Sequence, residues 1–261
     1  MSERRFSQEA ERLVVGHRGA SATEAENTIP AFEMAIEAGA DVVEFDVRMT
    51  ADGTAVVMHD PDVARTTDGR GLVRDLLLVE VKRLRIRTAD GEATEVPTLL
   101  EALAWLSGRV AVDVEIKNIP GEPDFDGTKE VAVEATLCAL DDAGFVGSVL
   151  LSSFNPLSIA RALEMAPEIP TGLLTSDDVD ARVAFEFARE QGHRWVLPFV
   201  GSVLTAGTSL VDDVHAAGMR LGTWITDDAV VAVDLMRAGV DAIATNDPST
   251  IVAARVEAFG R

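Results

Sequence analysis

Cysteine is almost absent from this chain: Cys138 stands alone among 261 residues, so no disulfide can form within it and no cysteine-based metal site can be built. Its apolar helical surroundings predict a buried thiol without a role. Positive charge is scarce too. Lys and Arg number 23 against 44 Asp and Glu, a net charge of −21, and lysine is the rarer of the two. Duplex binding relies on clustered Lys and Arg to displace counterions, so no nucleic-acid partner is expected. An anionic membrane surface is disfavoured on the same ground. An anionic substrate would need a few fixed cations or a bound metal working locally against this global field. Apolar runs long enough to span a bilayer are missing, and Met1 to Arg12 is charged and lacks the apolar stretch of a secretory signal. A cytoplasmic protein without stable membrane insertion is expected; its oligomeric state is left open.

What the chain does have is 47% hydrophobic content, enough for one large core, which suits a single α/β barrel or two smaller domains. Ala38-Gly39-Ala40, Ala143-Gly144-Phe145, Ala217-Gly218-Met219 and Ala238-Gly239-Val240 each close a helical pattern and open an apolar run. Glycine there fits the left-handed position that ends a helix. The runs that follow, Val42 to Val47, Val149 to Ser152, Leu221 to Ile225 and Ala242 to Thr245, read as buried strands. Leu13 to Gly16, Val110 to Ile116, Gly172 to Thr175 and Trp195 to Pro198 complete an alternation of strand and helix that recurs roughly every 30 residues. The count is near eight units and no Gly-x-Gly-x-x-Gly follows the first strand, so a closed (β/α)8 TIM barrel is expected over an open doubly wound sheet. Residues 1–261 are read as one barrel domain.

The rhythm breaks between residues 48 and 97. Ala51-Asp52-Gly53 looks like a turn that reverses the chain into Ala55 to His59. The Arg-rich stretch from Arg65 to Arg87 has no strong period, and Pro97 blocks a helix before Thr98 and an apolar face of Leu99, Leu100 and Leu103 restart one. Residues of about 60–97 are read as a small insertion on the barrel rim, after the second strand.

His17, Glu44, Asp46, His59 and Glu115 fall at the C-terminal ends of the first three strands or the hairpin after them, where barrel enzymes keep their catalytic groups. Side chains alternate along a strand, so Glu44 and Asp46 point the same way, and Asp113, Glu115 and Lys117 share one face while Val112, Val114 and Ile116 share the other. Charges aimed into a barrel are costly unless paired or bound to a metal. Three inward carboxylates on neighbouring strands therefore predict one hard divalent cation, Mg2+ or Ca2+. Salt bridges from Glu44 and Asp46 to arginines of the insertion are the alternative. Asp113, deeper in the barrel, is expected to meet a backbone or lysine partner. His17 lies in Gly16-His17-Arg18-Gly19, where glycines permit a tight turn and close substrate approach. His59 ends a second apolar run, and two histidines at one mouth suit paired acid and base roles. His193 and His215 are read as structural. Arg18 can offer a fork to a phosphate and Lys117 a point charge. Trp224 can cover the organic part of a ligand or serve as barrel core; Trp105 and Trp195 are read as packing residues.

In order along the chain, His17-Arg18-Gly19, Glu26-Asn27-Thr28, Glu44-Phe45-Asp46-Val47, Thr50 to Gly53 and His59-Asp60 resemble the opening signature of the glycerophosphodiester phosphodiesterase family. Val96-Pro97-Thr98-Leu99, Glu115-Ile116-Lys117, Ser152-Ser153-Phe154, Trp224 and Thr245-Asn246-Asp247-Pro248 are similar to its later landmarks. The resemblance implies a barrel, a divalent metal held by Glu44, Asp46 and Glu115, His17 and His59 as the acid and base pair, and Arg18 and Lys117 on the phosphate. Ala25 stands where that family usually has proline, and Asp227 where asparagine is common.

The expected activity is hydrolysis of a small-molecule glycerophosphodiester to glycerol 3-phosphate and an alcohol, within glycerol and lipid metabolism. A lysophospholipase D-type enzyme of the same fold is the nearest alternative, and it would need an apolar groove, for which Leu72, Val73 and Leu76 to Val79 are candidates. A binding-only barrel would be expected to have lost a metal ligand or a histidine, and this chain keeps them all. A barrel acting on sugar phosphates would grip phosphate near its last two strands, where Thr245-Asn246-Asp247-Pro248 lacks the glycines for it.

Overall fold

Short apolar runs rich in β-branched residues form strands where the sequence places them, and a computed structural model describes residues 12–260. The charged opening stretch, apart from Arg12, lies outside the described residues. The strands are β1 (Leu13–His17), β2 (Val42–Met49), β3 (Ala55–Val57), β4 (Ile86–Arg87), β5 (Ala93–Thr94), β6 (Ala111–Ile116), β7 (Val149–Ser153), β8 (Thr171–Thr175), β9 (Trp195–Pro198), β10 (Arg220–Thr223) and β11 (Ala242–Thr245). The helices are α1 (Ile29–Glu37), α2 (Leu78–Val81), α3 (Leu99–Leu106), α4 (Val131–Asp142), α5 (Pro156–Met165), α6 (Ala181–Gln191), α7 (Val200–Ala206), α8 (Thr208–Ala216), α9 (Ala229–Arg237) and α10 (Pro248–Phe259).

β1, β2, β6, β7, β8, β9, β10 and β11 are parallel neighbours in that order, and β1 pairs with both β2 and β11. The sheet therefore closes on itself, as expected for the (β/α)8 barrel. Gly39, Gly144, Gly218 and Gly239 all have positive φ, so the four Ala-Gly marks are left-handed helix ends. Helix starts are set locally as well. Thr28 caps α1, and Thr98 with Glu101 forms a capping box at the start of α3, which satisfies backbone donors that the first turn leaves free. Leu99 and Leu103 are buried in α3, but Leu100 turns to solvent, a departure from the three-leucine face.

Apolar side chains pack in two layers. Outside the sheet, Val112, Val114 and Ile116 lie under the helices with Phe32, Leu99 and Leu103. Inside it, Val15, Val42, Leu150, Leu174, Trp195 and Leu197 fill the barrel. Gly222 in β10 makes room in that interior: a Cβ there would stand 2.6 Å from Leu197 Cδ2.

The chain reverses after β2 through Thr50 to Gly53, and β3 runs antiparallel to β2, with Val47 opposite Val57 and Met49 opposite Ala55. β3 stops at Val57 rather than reaching His59. The excursion that follows holds a 3-10 turn at Val73–Asp75, α2 and the β4–β5 hairpin. It has a core of its own, in which Met58, Val63, Val73, Val81, Ile86 and Val96 are buried. Cys138 is exposed on α4, correcting the expectation of a buried thiol. Helix α4 buries Ala132, Val133, Thr136 and Leu140, a stripe at helical spacing that leaves position 138 on the outer face. Among the described residues, no helix is long and apolar enough to cross a membrane.

Candidate active site

Register brings the charged residues together. His17 lies opposite Glu44, Glu44 opposite Asp113, and Asp46 opposite Glu115, so alternation along each strand aims them into one mouth. Glu44, Asp46 and Glu115 are buried and each can place one carboxylate oxygen within 4.8 Å of the others. Glu44 Oε1 is buried without a hydrogen bond. Lys117 Nζ lies 3.1 Å from Asp46 Oδ1 and donates to Glu115. The arginines of the excursion do not reach Glu44 or Asp46, as the alternative reading required: Arg65 binds Glu26 and Asp60 instead.

Crowding shows in the proton affinities. Burial, then Asp46 and Glu115 nearby, pushes Glu44 well above the ordinary carboxylate range. Burial raises Glu115 to about 7 against the pull of Lys117, and burial raises Asp113 to about 7. For Asp46, burial acts the same way but Lys117, His59 and Arg18 outweigh it, holding the carboxylate below its usual range. A buried Glu44 oxygen without a donor, and Glu44 and Glu115 carboxyls that resist ionisation beside the readily ionised Asp46, fit a hard divalent ion. Asp113 accepts from Ser152 Oγ at 2.7 Å, a hydroxyl partner in place of the backbone or lysine group expected from the sequence.

The turn after β1 seats Arg18. Gly19 has φ +84° and a Cβ on it would meet the Ala31 backbone at 2.6 Å, so only glycine lets this turn pack on α1. The Arg18 amide donates to Glu44 Oε2 at 2.7 Å, and its guanidinium bonds Glu26 at 3.0 Å and lies 3.3 Å from Asp46. Asn27 holds Asp46 from both sides, donating to its carboxylate at 2.7 Å and accepting its backbone N–H at 3.2 Å.

His17 and His59 face the same cavity with different partners. His17 Nδ1 is 2.8 Å from Asn246 Oδ1; burial, reinforced by Arg18, lowers its pKa to about 4. His59 Nδ1 is 2.6 Å from Asp60 Oδ1. Burial lowers His59 also, with Asp46 opposing. Arg65 bonds Asp60 and Glu26 together, and Arg48, buried, donates to the His59 carbonyl at 2.6 Å while bonding Asp124 and Glu122. Sequence reasoning gives no role to Asp60, Arg65, Arg48, Asn246 or Asp227, although Asp60, Asn246 and Asp227 lie in or beside the quoted motifs.

The opposite wall is apolar. Trp224, just past β10, meets Phe154 and Phe199 edge-on at 5.1 and 5.5 Å, and its indole N–H donates to the Leu197 carbonyl. With Leu150, Leu174 and Leu197 it lines a cavity of about 150 Å³ shared with the charged groups. No residue between 60 and 97 lines it. Trp105 stacks under Arg109 and Trp195 is buried, both packing residues. His193 bonds Thr171 and His215 bonds Asp241, both away from this mouth.

The model of the glycerophosphoryl diester phosphodiesterase family matches residues 17–250. A glycerophosphodiester phosphodiesterase of Caldanaerobacter subterraneus subsp. tengcongensis is 34% identical over 92% of this chain and 96% of its own length. A probable glycerophosphodiester phosphodiesterase 1 of Mycobacterium tuberculosis is 48% identical over 90% of this chain and 89% of its own. Among solved structures, an Oleispira antarctica phosphodiesterase in complex with the product sn-glycerol-3-phosphate superposes with a TM-score of 0.81 at 28% identity, covering 93% of this chain and 96% of that one.

Proposed function

The chain belongs to the glycerophosphoryl diester phosphodiesterase family, and on that premise we propose that it hydrolyses glycerophosphodiesters to glycerol 3-phosphate and an alcohol, using one divalent ion, Mg2+ or Ca2+. The observation that carries this reading is the buried carboxylate trio with Glu44 Oε1 unpartnered, beside a cavity that Glu44, Glu115 and both histidines line. The substrate class comes from the named activity of the relatives and from the product in the Oleispira antarctica structure. The same reading takes the chain as one barrel domain, with residues 60–97 built onto its rim.

Glu44, Asp46 and Glu115 would hold the ion, which when bound supplies Lewis-acid stabilisation of charge at the phosphoryl oxygens. Arg18 and Lys117 are the fixed cations beside it and bind the phosphate against the −21 net charge of the chain. One histidine takes a proton from the attacking oxygen and the other gives one to the leaving alcohol, so water is added across the P–O bond. Trp224 and Phe154 cover the organic part of the diester.

The lysophospholipid alternative gains nothing from the excursion, because Val73 is buried in its own core and its other apolar residues lie off the cavity. The test is release of glycerol 3-phosphate from a panel of glycerophosphodiesters and a lysophospholipid by metal-stripped protein, with and without Mg2+ or Ca2+, alongside Glu44→Ala. Metal-restored turnover that Glu44→Ala lacks is the expected result. Folded protein inactive on the diesters under either metal would refute the reading.

A further inference from the structure

Asp227 lies at the solvent edge of the mouth, between β10 and α9, yet three hydrogen bonds converge on it. Its Oδ1 accepts from Thr245 Oγ1 and from the Asn246 backbone N–H, both at 2.7 Å, and its Oδ2 accepts from Asn246 Nδ2 at 3.0 Å. An ionised carboxylate only accepts and an amide nitrogen only donates. The carboxylate therefore fixes which way round the Asn246 amide sits, since the flipped amide would set its oxygen against Oδ2. Asn246 Oδ1 is then the atom turned to His17 Nδ1 at 2.8 Å and to Ser21 Oγ at 3.0 Å. Facing an acceptor, His17 Nδ1 must carry the ring hydrogen, which leaves Nε2 as the lone-pair nitrogen of the neutral imidazole.

We propose that Asp227 is a positioning residue that sets the tautomer of His17 through Asn246. The tautomer decides which ring nitrogen can exchange a proton with substrate; this catalytic consequence rests on the role given to His17 above, while the tautomer itself does not. Asp227→Asn is the informative change because it is isosteric. The amide oxygen it introduces can still accept from Thr245 and the Asn246 N–H, but the amide nitrogen now faces Asn246 Nδ2, donor against donor. Flipping the Asn246 amide relieves this, turns Asn246 Nδ2 toward His17 Nδ1, and drives the ring hydrogen to Nε2. Pairing the change with Asn246→Asp restores an acceptor opposite His17, with the amide introduced at position 227 donating to the new carboxylate.

The experiment is two-bond ¹H–¹⁵N correlation of the His17 ring in histidine-labelled, metal-loaded protein above pH 7, together with kcat and KM on a glycerophosphodiester. Expected are the Nδ1–H pattern in wild type, the Nε2–H pattern in D227N, and Nδ1–H again in the D227N/N246D pair. The expected kinetic effect of D227N is a fall in kcat of about tenfold or more, on the order of what losing an orienting hydrogen-bond partner costs a functional histidine, with KM little changed. A wild-type ring protonated at Nε2, or a D227N ring still protonated at Nδ1, overturns the inference. A switched tautomer with wild-type kcat upholds the relay and instead overturns the proton-transfer role of His17.

Discussion

Two arcs of one barrel mouth follow the same alternation and carry opposite chemistry. On β1, β2 and β6 the inward positions near the C-terminal ends are His17, Glu44, Asp46 and Glu115; on β7 through β10 the arc lining the same cavity presents Leu150, Leu174, Leu197 and Gly222, together with the hydroxyl residue Ser152. The apolar arc is self-sufficient, since its side chains fill the barrel by packing alone. The charged arc is not, because its acids are buried and Glu44 Oε1 meets no donor. The barrel therefore supports its charged arc at a cost that a bound cation would offset.

Removing the proposed proton carriers of the charged arc should have the most severe outcome. His17→Ala and His59→Ala should each lower kcat by about 10²–10⁴-fold, with a melting temperature close to wild type. Turnover near wild type in either would sink the acid and base pairing.

Proton competition probes the same arc more gently. Glu115, raised to about 7, is roughly half protonated near neutral pH in the metal-free protein, Glu44 is raised well above its ordinary value, and any proton they carry must leave for a cation to bind. Affinity for Mg2+ or Ca2+ should therefore fall as pH drops below about 7, by roughly tenfold per unit for each proton displaced. Calorimetry in two buffers of different ionisation enthalpy counts those protons, and a count of zero at pH 7 would contradict the shifts.

Overpacking tests the apolar arc. Gly222→Ala sets a methyl 2.6 Å from Leu197 Cδ2 and should cost about 1–3 kcal/mol of stability in urea unfolding. Restoring space with Leu197→Ala in the same chain should recover part of it. A milder change is expected at the rim, where Trp224→Ala should raise KM a few-fold and leave kcat nearly unchanged; a loss confined to kcat would assign Trp224 to the chemistry instead.

Much of this is legible in the sequence because it is local. Strand parity aims Glu44 with Asp46, glycine marks helix ends, and the eightfold alternation implies closure. What escapes is what closure itself creates. His17 and Asn246 are 229 positions apart and meet only because β1 lies against β11, and no run of residues encodes that Asp46 stands opposite Glu115. Arg65 can be placed in the excursion but not on Asp60 and Glu26, since its stretch has no period to orient it. The depth of Asp113 follows from its place on the strand, but its partner does not, because Ser152 reaches it across a register that the sequence does not print. Cys138 misleads for a plainer reason: it sits among apolar neighbours, yet on the outer side of the helical stripe.

The pairing of β1 with both β2 and β11 bears on synthesis. A chain emerging from the ribosome makes β1 before β11, so the edge of β1 that pairs with β11 stays open until residues 242–245 are available to it. Until then His17 lacks Asn246, although Glu44, Asp46 and Glu115 on β2 and β6 have already been made. The seam of the barrel thus acts as a clock: Glu44, Asp46 and Glu115 are made well before the partner of His17, which lies 229 positions after it.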